Sequence, residues 1–197
     1  MTRACRERGF TIVETLFVVA LIGVISSIAV PMIGNAIANF RLTGDTRSAS
    51  NAVSLTKMRA ASDFSRVRLY VDLSAKSHHL EVWDKTTSHW TTESGSTYLS
   101  TNTSFSYGIV SSAPPNTQAT IGQAPQCTND AGDNIANTAC VMFNSRGVPI
   151  DSSGAPTAVD ALYLTDGTAV YAVTTAATGM IRVWRTQPVS TPSWVLQ

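Results

Sequence analysis

A long uncharged run near the N-terminus constrains this chain more than any other feature of its sequence. The segment Leu16–Ile33 contains no charged residue and is interrupted only by Gly23, Ser26, Ser27 and Pro31. As a helix, a run of this length spans or nearly spans the hydrocarbon core of a bilayer. The chain is therefore expected to carry a membrane-associated helix before any folded domain.

The residues before this run are basic. Arg3, Arg6 and Arg8 outnumber Glu7 within the first nine residues. Under the positive-inside rule, this leader stays in the cytoplasm and the rest of the chain is placed outside it. One carboxylate, Glu14, lies at the N-terminal edge of the apolar run, where an unpaired charge in hydrocarbon costs about 2.5–3.5 kcal/mol. Glu14 therefore needs a compensating partner.

Three general kinds of N-terminal segment fit the pattern incompletely. A cleaved signal peptide has small residues after its apolar run, a requirement that Ser26, Ser27 and Ala29 meet only loosely. A lipoprotein has its cysteine after the run, but Cys5 precedes it. A plain uncleaved anchor explains the hydrophobicity and leaves Glu14 unexplained.

The stretch RERGFTIVETLFVVALIGVISSIAVP resembles the class III leader and N-terminal helix of type IV prepilins and pseudopilins. The resemblance implies that a prepilin peptidase cleaves between Gly9 and Phe10, and that Phe10 is then N-methylated. Glu14 corresponds to the glutamate of that family, and Pro31 to its helix-kinking proline. In a filament of this kind, the Phe10 amine of one subunit pairs with Glu14 of a neighbour. That pairing supplies the missing opposite charge and fixes the axial register.

The expected organisation has three parts: a cleaved leader over residues 1–9, a hydrophobic transmembrane and filament-core helix over 10–40, and a head outside the cytoplasm over 41–197. The helix is expected to continue towards Phe64 and to lie amphipathically on a sheet, with Gly44 and Asp45 as points of interruption. Its predicted apolar stripe comprises Ile33, Ile37, Phe40, Ala49, Val53, Leu55 and Phe64.

Strand patterns dominate the rest of the chain. RVRLYVDL alternates apolar and polar residues, SAKSHH is predicted as a turn, and LEVWD as a returning strand. Further strands are predicted in STYLSTNTSFSYGIV, ACVMFNSRGVPI and GMIRVWR. ALYLT and TAVYAVTT flank Asp166-Gly167, which predicts a hairpin. The resulting fold class is α+β, with a long N-terminal helix packed on an antiparallel sheet, as in pilins.

Two C-terminal motifs resemble those of one particular group within this family. ACVMFNSRGVPID is similar to the F-x-x-x-G-x-P strand and turn of the GspH/FimT group of minor pilins and pseudopilins. GMIRVWR is similar to the closing strand of that group, which begins with a glycine and carries arginine. The chain is thereby identified as a minor pilin of the GspH/FimT kind.

The cysteines divide between leader and head. Removing the leader removes Cys5 and leaves Cys127 and Cys140, an even number that favours one disulfide in an oxidising compartment. Two free thiols in a reducing compartment are the alternative. No metal site is predicted, because no C-x-x-C or Cys/His spacing accompanies the pair.

No catalytic constellation is recognisable, and no cofactor is expected. His78 and His79 are adjacent in the predicted turn and His89 is isolated, which indicates solvated side chains. The sequence lacks a G-x-S-x-G elbow, a Walker loop and an H-E-x-x-H motif. The chain is therefore predicted to be a structural subunit and not an enzyme.

DNA binding is an alternative function, since some members of the resembling group bind DNA through arginines after a C-terminal glycine. Here Gly179 is followed by Met180, and Arg182, Trp184 and Arg185 remain as candidate contacts. In a regular strand the two arginines face opposite sides. The net charge of +1 depends on the basic leader, so the head has no basic excess.

The sequence thus favours a minor pilin that primes or joins a type IV pilus filament. Its partners would be prepilin peptidase, other major and minor pilins, and the inner membrane, which holds it before it enters a periplasmic or surface filament. A pseudopilin of a type II secretion system, a DNA-binding minor pilin and a plain membrane-anchored binding protein remain as alternatives. Glu14 substitution would leave the last of these unaffected.

Overall fold

The computed structural model describes residues 10–93 and 95–197, with positions 31 and 35 described by their backbone alone. The expected leader, including Cys5 and Gly9, lies outside the described residues. The chain divides into two compact units, one ending at Asn39 and the other comprising Phe40–Gln197.

One helix, α1, extends over Ile12–Ser62. It is assigned without interruption through Pro31, Gly34, Gly44 and Asp45, so the predicted break near Gly44 and Asp45 is wrong. Asp45 is accommodated because its carboxylate accepts hydrogen bonds from the Ser100 backbone and hydroxyl, both at 2.9 Å. The polar residue thus helps to join the helix to the head.

The buried face of α1 differs in part from the predicted stripe. Ala49 and Val53 are buried as expected, but Leu55 and Phe64 are 44% and 73% exposed. Leu55 is two positions from Val53, which puts it on another side of a helix with 3.6 residues per turn. The positions that are buried recur every three or four residues: Leu42, Asp45, Thr46, Ala49, Val53, Thr56 and Ala60.

Within the described residues, ten strands follow the helix. They are β1 (Val67–Asp72), β2 (Ser77–Asp84), β3 (His89–Thr92), β4 (Thr97–Tyr98), β5 (Thr138–Phe143), β6 (Pro149–Ile150), β7 (Ala161–Thr165), β8 (Val170–Thr175), β9 (Ile181–Thr186) and β10 (Val195–Leu196). They form two antiparallel sheets. The first has the order β3-β2-β1-β5-β6, with β4 paired to β2, and the second the order β10-β9-β8-β7.

The α+β architecture predicted from the sequence is confirmed, with two sheets in place of one. The main core contains the buried face of α1 and the apolar faces of both sheets, with Val67, Leu69, Phe143, Leu162 and Val173 at its centre. A second cluster lies around Tyr163 and Trp184, so β7 and β8 are buried on both faces.

The strand predictions are most accurate where apolar and polar residues alternate clearly or where the turn residues are distinctive. The β7–β8 hairpin forms across Asp166-Gly167, and Gly167 adopts a positive φ of 88°. The predicted SAKSHH turn is wrong at its end, because His78 and His79 belong to β2 and pair with Val71 and Tyr70. In STYLSTNTSFSYGIV, the segment that forms a strand is Thr97–Tyr98.

Candidate functional site

The N-terminal end of α1 is capped by its own sequence. The Thr11 hydroxyl accepts a hydrogen bond from the Glu14 backbone N–H at 3.2 Å, which satisfies one of the free donors of the first turn. Threonine followed three residues later by glutamate is a capping-box pattern. The negative Glu14 side chain also complements the positive end of the helix dipole. Phe10 and Glu14 are both exposed and lie on either side of this cap.

The first part of α1 presents an apolar surface. The helix is long and apolar enough to cross a membrane by length and composition. Large exposed apolar side chains in this part are Ile12, Val13, Leu16, Phe17, Val18, Val19, Leu21, Ile22, Val24, Ile25, Ile28, Val30, Met32 and Ile33. A surface of this kind needs lipid or another apolar partner. The predicted assembly residue Pro31 lies within this helical segment.

The candidate DNA contacts in β9 are not brought together. Trp184 is 9% exposed, and its indole N–H donates to the Thr174 hydroxyl at 3.0 Å within the second core cluster. Arg185 lies over the ring of Tyr171 at 5.8 Å. Arg182 is exposed. It lies three residues from Arg185 in a regularly paired strand, so the two side chains face opposite sides of the sheet. Trp184 is therefore a core residue and does not form a stacking platform beside the two arginines.

The two C-terminal motifs meet at the helix. The Lys57 ammonium donates a hydrogen bond to the Gly179 carbonyl at 2.9 Å. A Cβ atom at Gly179 would lie 2.4 Å from the Gly147 carbonyl oxygen, and one at Gly147 would lie 3.0 Å from Lys57 Cε. Both glycines have positive φ values, 71° and 75° respectively for Gly147 and Gly179. Close packing against backbone thus requires glycine at position 179, whereas at position 147 glycine is favoured by the positive φ.

The outer face of the first sheet contains a buried ionic network that the sequence analysis missed. Arg68 is 3% exposed and donates to Glu81 Oε2 at 2.5 Å and to the Thr128 carbonyl at 2.6 Å. Glu81 is also bonded to His79 at 3.1 Å, and the His79 ring stacks on Tyr70. Burial lowers the pKa of Arg68, and Glu81 opposes that shift.

Cross-strand register assembles this network. Arg68 lies opposite Glu81, and Tyr70 lies opposite His79, in the β1–β2 ladder. The guanidinium of Arg68 lies 4.0 Å from the centre of the Trp90 ring on the next strand. The alternation of polar residues in β1 was visible in the sequence, but their partners depend on the register of three strands.

Cys127 and Cys140 form the predicted disulfide. It closes a loop that lies across the outer face of the first sheet, where Thr128 contacts Arg68 as described. Asp130 of this loop accepts a hydrogen bond from the Trp90 backbone at 2.9 Å and is bonded to the His89 ring at 2.8 Å. These two contacts, led by the one to His89, lower the pKa of Asp130.

His78, predicted to be solvated, is buried. It is 4% exposed, and its ring meets Phe105 edge-on. Burial lowers the pKa of His78, with His79 adding to the effect and Asp45 opposing it.

Asp160 is likewise buried, at 3% exposure, and burial together with Asp151 raises its pKa to about 7. Neither His78 nor Asp160 belongs to a group of three or more potential metal ligands, and no such group exists among the described residues.

The comparisons with known proteins agree with the N-terminal prediction. The family model described as the prokaryotic N-terminal methylation motif matches residues 5–30. The predicted resemblance to type IV prepilins and pseudopilins is confirmed. No curated protein matches the chain.

Two solved structures of the minor pseudopilin EpsH from the type II secretion system of Vibrio cholerae are similar to this chain. The first is 13% identical with a TM-score of 0.45, and the match covers 80% of this chain and 97% of EpsH. The second is 8% identical with a TM-score of 0.37, and covers 80% and 96% respectively.

Proposed function

We propose that this chain is a minor pilin or pseudopilin, a structural subunit that joins or primes a filament through α1. The observation that carries the proposal is the N-terminal methylation motif over residues 5–30, continued by an exposed apolar helix. The motif implies a prepilin peptidase as processing partner, with cleavage between Gly9 and Phe10 and methylation of Phe10. These residue assignments are part of the proposal.

The apolar surface of α1 is removed from water in two successive environments. Before assembly, the segment from Ile12 onwards lies in the inner membrane, whose hydrocarbon core is about 30 Å thick. After assembly, the same surface packs against the corresponding helices of other subunits, which again remove it from water. The head, Phe40–Gln197, remains outside the cytoplasm, where its disulfide is stable.

Glu14 acts in the change between these environments. Its carboxylate makes no ion pair with any described residue, although its place in the first turn of α1 lets the helix dipole favour its negative charge. Pairing with the methylated Phe10 amine of a neighbouring subunit would neutralise both charges in the filament. The pair favours one axial position of the subunit over others, because a shift by one helical turn separates the two charges.

A gene deletion distinguishes the pilus from the secretion filament. Surface pili are counted by electron microscopy in a strain lacking the gene, and protein secretion is assayed in the same cultures. Lost pili with intact secretion support a pilus-priming minor pilin, whereas normal pili with lost secretion support a type II pseudopilin. If both are unchanged and the N-terminus is found uncleaved by mass spectrometry, the proposal is wrong.

A further inference from the structure

The outer face of the first sheet contains a small pocket beside the disulfide loop. The pocket has a volume of about 160 Å³ and is bounded by the residue before β1, by β2, β3 and β5, and by the loop. Residues that give it its chemistry are Arg66, Trp83, Trp90, Asn129, Asp130 and Ser152. This volume is below the roughly 300–1,000 Å³ of sites for drug-sized ligands, so the pocket accepts one small ring and not an extended chain.

Two indole rings form the apolar walls. Trp83 and Trp90 are opposite each other in the β2–β3 ladder, with ring centres 5.2 Å apart and planes inclined by 68°. Arg68 approaches Trp90 but is not among the lining residues, so it supports the wall from beneath. Both tryptophans are only partly buried, although indole rings bury large areas when nothing competes for them.

Polar groups converge on the same space. The guanidinium of Arg66 lies 4.6 Å from the centre of the Trp83 ring and makes no hydrogen bond or ion pair with a described residue. Asp130 is fixed by Trp90 and His89, and carboxylate oxygens accept more than one hydrogen bond each. Donors and an acceptor therefore surround a space with aromatic walls.

The pocket is rigid before any ligand arrives. The Cys127–Cys140 disulfide, the Arg68 bond to the Thr128 carbonyl and the Asp130 contacts hold the loop against the sheet. Preorganisation of this kind reduces the entropy lost on binding.

We propose that this pocket binds a single neutral pyranose residue of a glycan. A pyranose has an apolar C–H face that fits an indole ring, and hydroxyl groups at its edge that both donate and accept hydrogen bonds. Arg66 and Asp130 offer one charge of each sign, which disfavours a phosphate or another strongly charged ligand. The proposal concerns the head alone and does not depend on the filament role of α1.

The test uses the full-length protein in a detergent without a sugar headgroup. Methyl glycosides of glucose, galactose, mannose and N-acetylglucosamine are titrated at millimolar concentrations, with tryptophan fluorescence and saturation-transfer NMR as readouts. We expect at least one glycoside to bind saturably, and its ring protons to receive magnetisation from the protein.

Two matched pairs of variants locate the binding. Arg66→Gln should weaken binding by about tenfold, because a charged hydrogen-bond donor is lost, whereas Arg146→Gln, at an exposed arginine outside the pocket, should not change it. Trp83→Leu should abolish binding, and Trp194→Leu, in the second cluster, should preserve it. If Trp83→Leu does not fold, the comparison of Arg66→Gln with Arg146→Gln decides whether the pocket is the binding site. The absence of saturable binding by all four glycosides would overturn the proposal, as would equal affinity in the Arg66→Gln and Arg146→Gln variants.

Discussion

Gly179 lies so close to Gly147 that a Cβ atom on Gly179 would approach the Gly147 carbonyl oxygen to 2.4 Å. The two residues belong to different C-terminal motifs that are distant in sequence, and Lys57 of α1 lies beside both. Their contact explains in physical terms why glycine occupies the turn after β5 and the start of the segment that leads into β9. It also identifies a place where the head does not tolerate a side chain.

Gly179→Ala should destabilise the head more than an alanine at an equally strained but open position. Gly167 is the matched control, because it also has a positive φ and a Cβ there meets nothing within 4 Å. Gly167→Ala should cost about 1–2 kcal/mol from backbone strain, and Gly179→Ala about 1–3 kcal/mol more from overpacking. Chemical denaturation of both variants measures the difference. Equal losses would contradict the close contact.

Arg68→Met should destabilise the head by about 3–5 kcal/mol, because it leaves the Glu81 carboxylate in a buried site without its main partner. Glu81 is only 12% exposed and cannot easily regain water. The double variant Arg68→Met with Glu81→Gln should recover part of that loss, since the unpaired charge is removed. Unfolding free energies of the two variants test this. A double variant less stable than Arg68→Met would count against the charge argument.

Removal of the disulfide by Cys127→Ala with Cys140→Ala should lower the unfolding free energy by about 3 kcal/mol, the loss expected for a closed loop of about 15 residues. The bond joins residues separated by 13 positions. A reducing agent should destabilise the wild type by a similar amount and leave the double variant unaffected. The prediction fails if the double variant and the wild type have the same midpoint under oxidising conditions.

Asp160→Asn should change how stability depends on pH. The pKa of Asp160 is about 7 in the folded protein, against an ordinary value of 3.8. Between these values the folded state binds a proton that the unfolded state releases, so this residue lowers the unfolding free energy as pH rises from about 4 to about 7. The amide side chain of the variant would remain neutral throughout.

The difference in unfolding free energy between Asp160→Asn and the wild type is the quantity to measure across this range. It should grow in favour of the variant as pH rises and become constant above about pH 7. A constant difference from the lowest pH upwards would mean that the buried carboxyl does not titrate in this window.

Glu14→Ala should leave cleavage intact and reduce incorporation into the filament by at least about tenfold, because the Phe10 amine of the neighbouring subunit would lose its partner. Thr11→Val is the control, since it removes the helix cap and keeps the carboxylate. Mass spectrometry of the N-terminus and immunoblots of sheared filaments measure the two effects. Wild-type incorporation of Glu14→Ala would refute the charge-pair argument.

The sequence by itself determined the features that depend on neighbours along the chain. The apolar run after Glu14, the turn at Asp166-Gly167 and the alternation in β1 each carry their signal within a few residues, because helix and strand periodicities and turn geometry are local. The Cys127–Cys140 pair was also predictable, since the expected removal of the leader leaves no other cysteine partner.

Only the tertiary structure decided which distant residues meet. Strand register places Arg68 against Glu81 and Trp83 against Trp90, and it takes His78 from a predicted turn into the core. A shift of register by one residue would move each of these side chains to the other face of the sheet. These contacts are set by the packing of the two sheets and α1 as a whole, which no short stretch of sequence encodes.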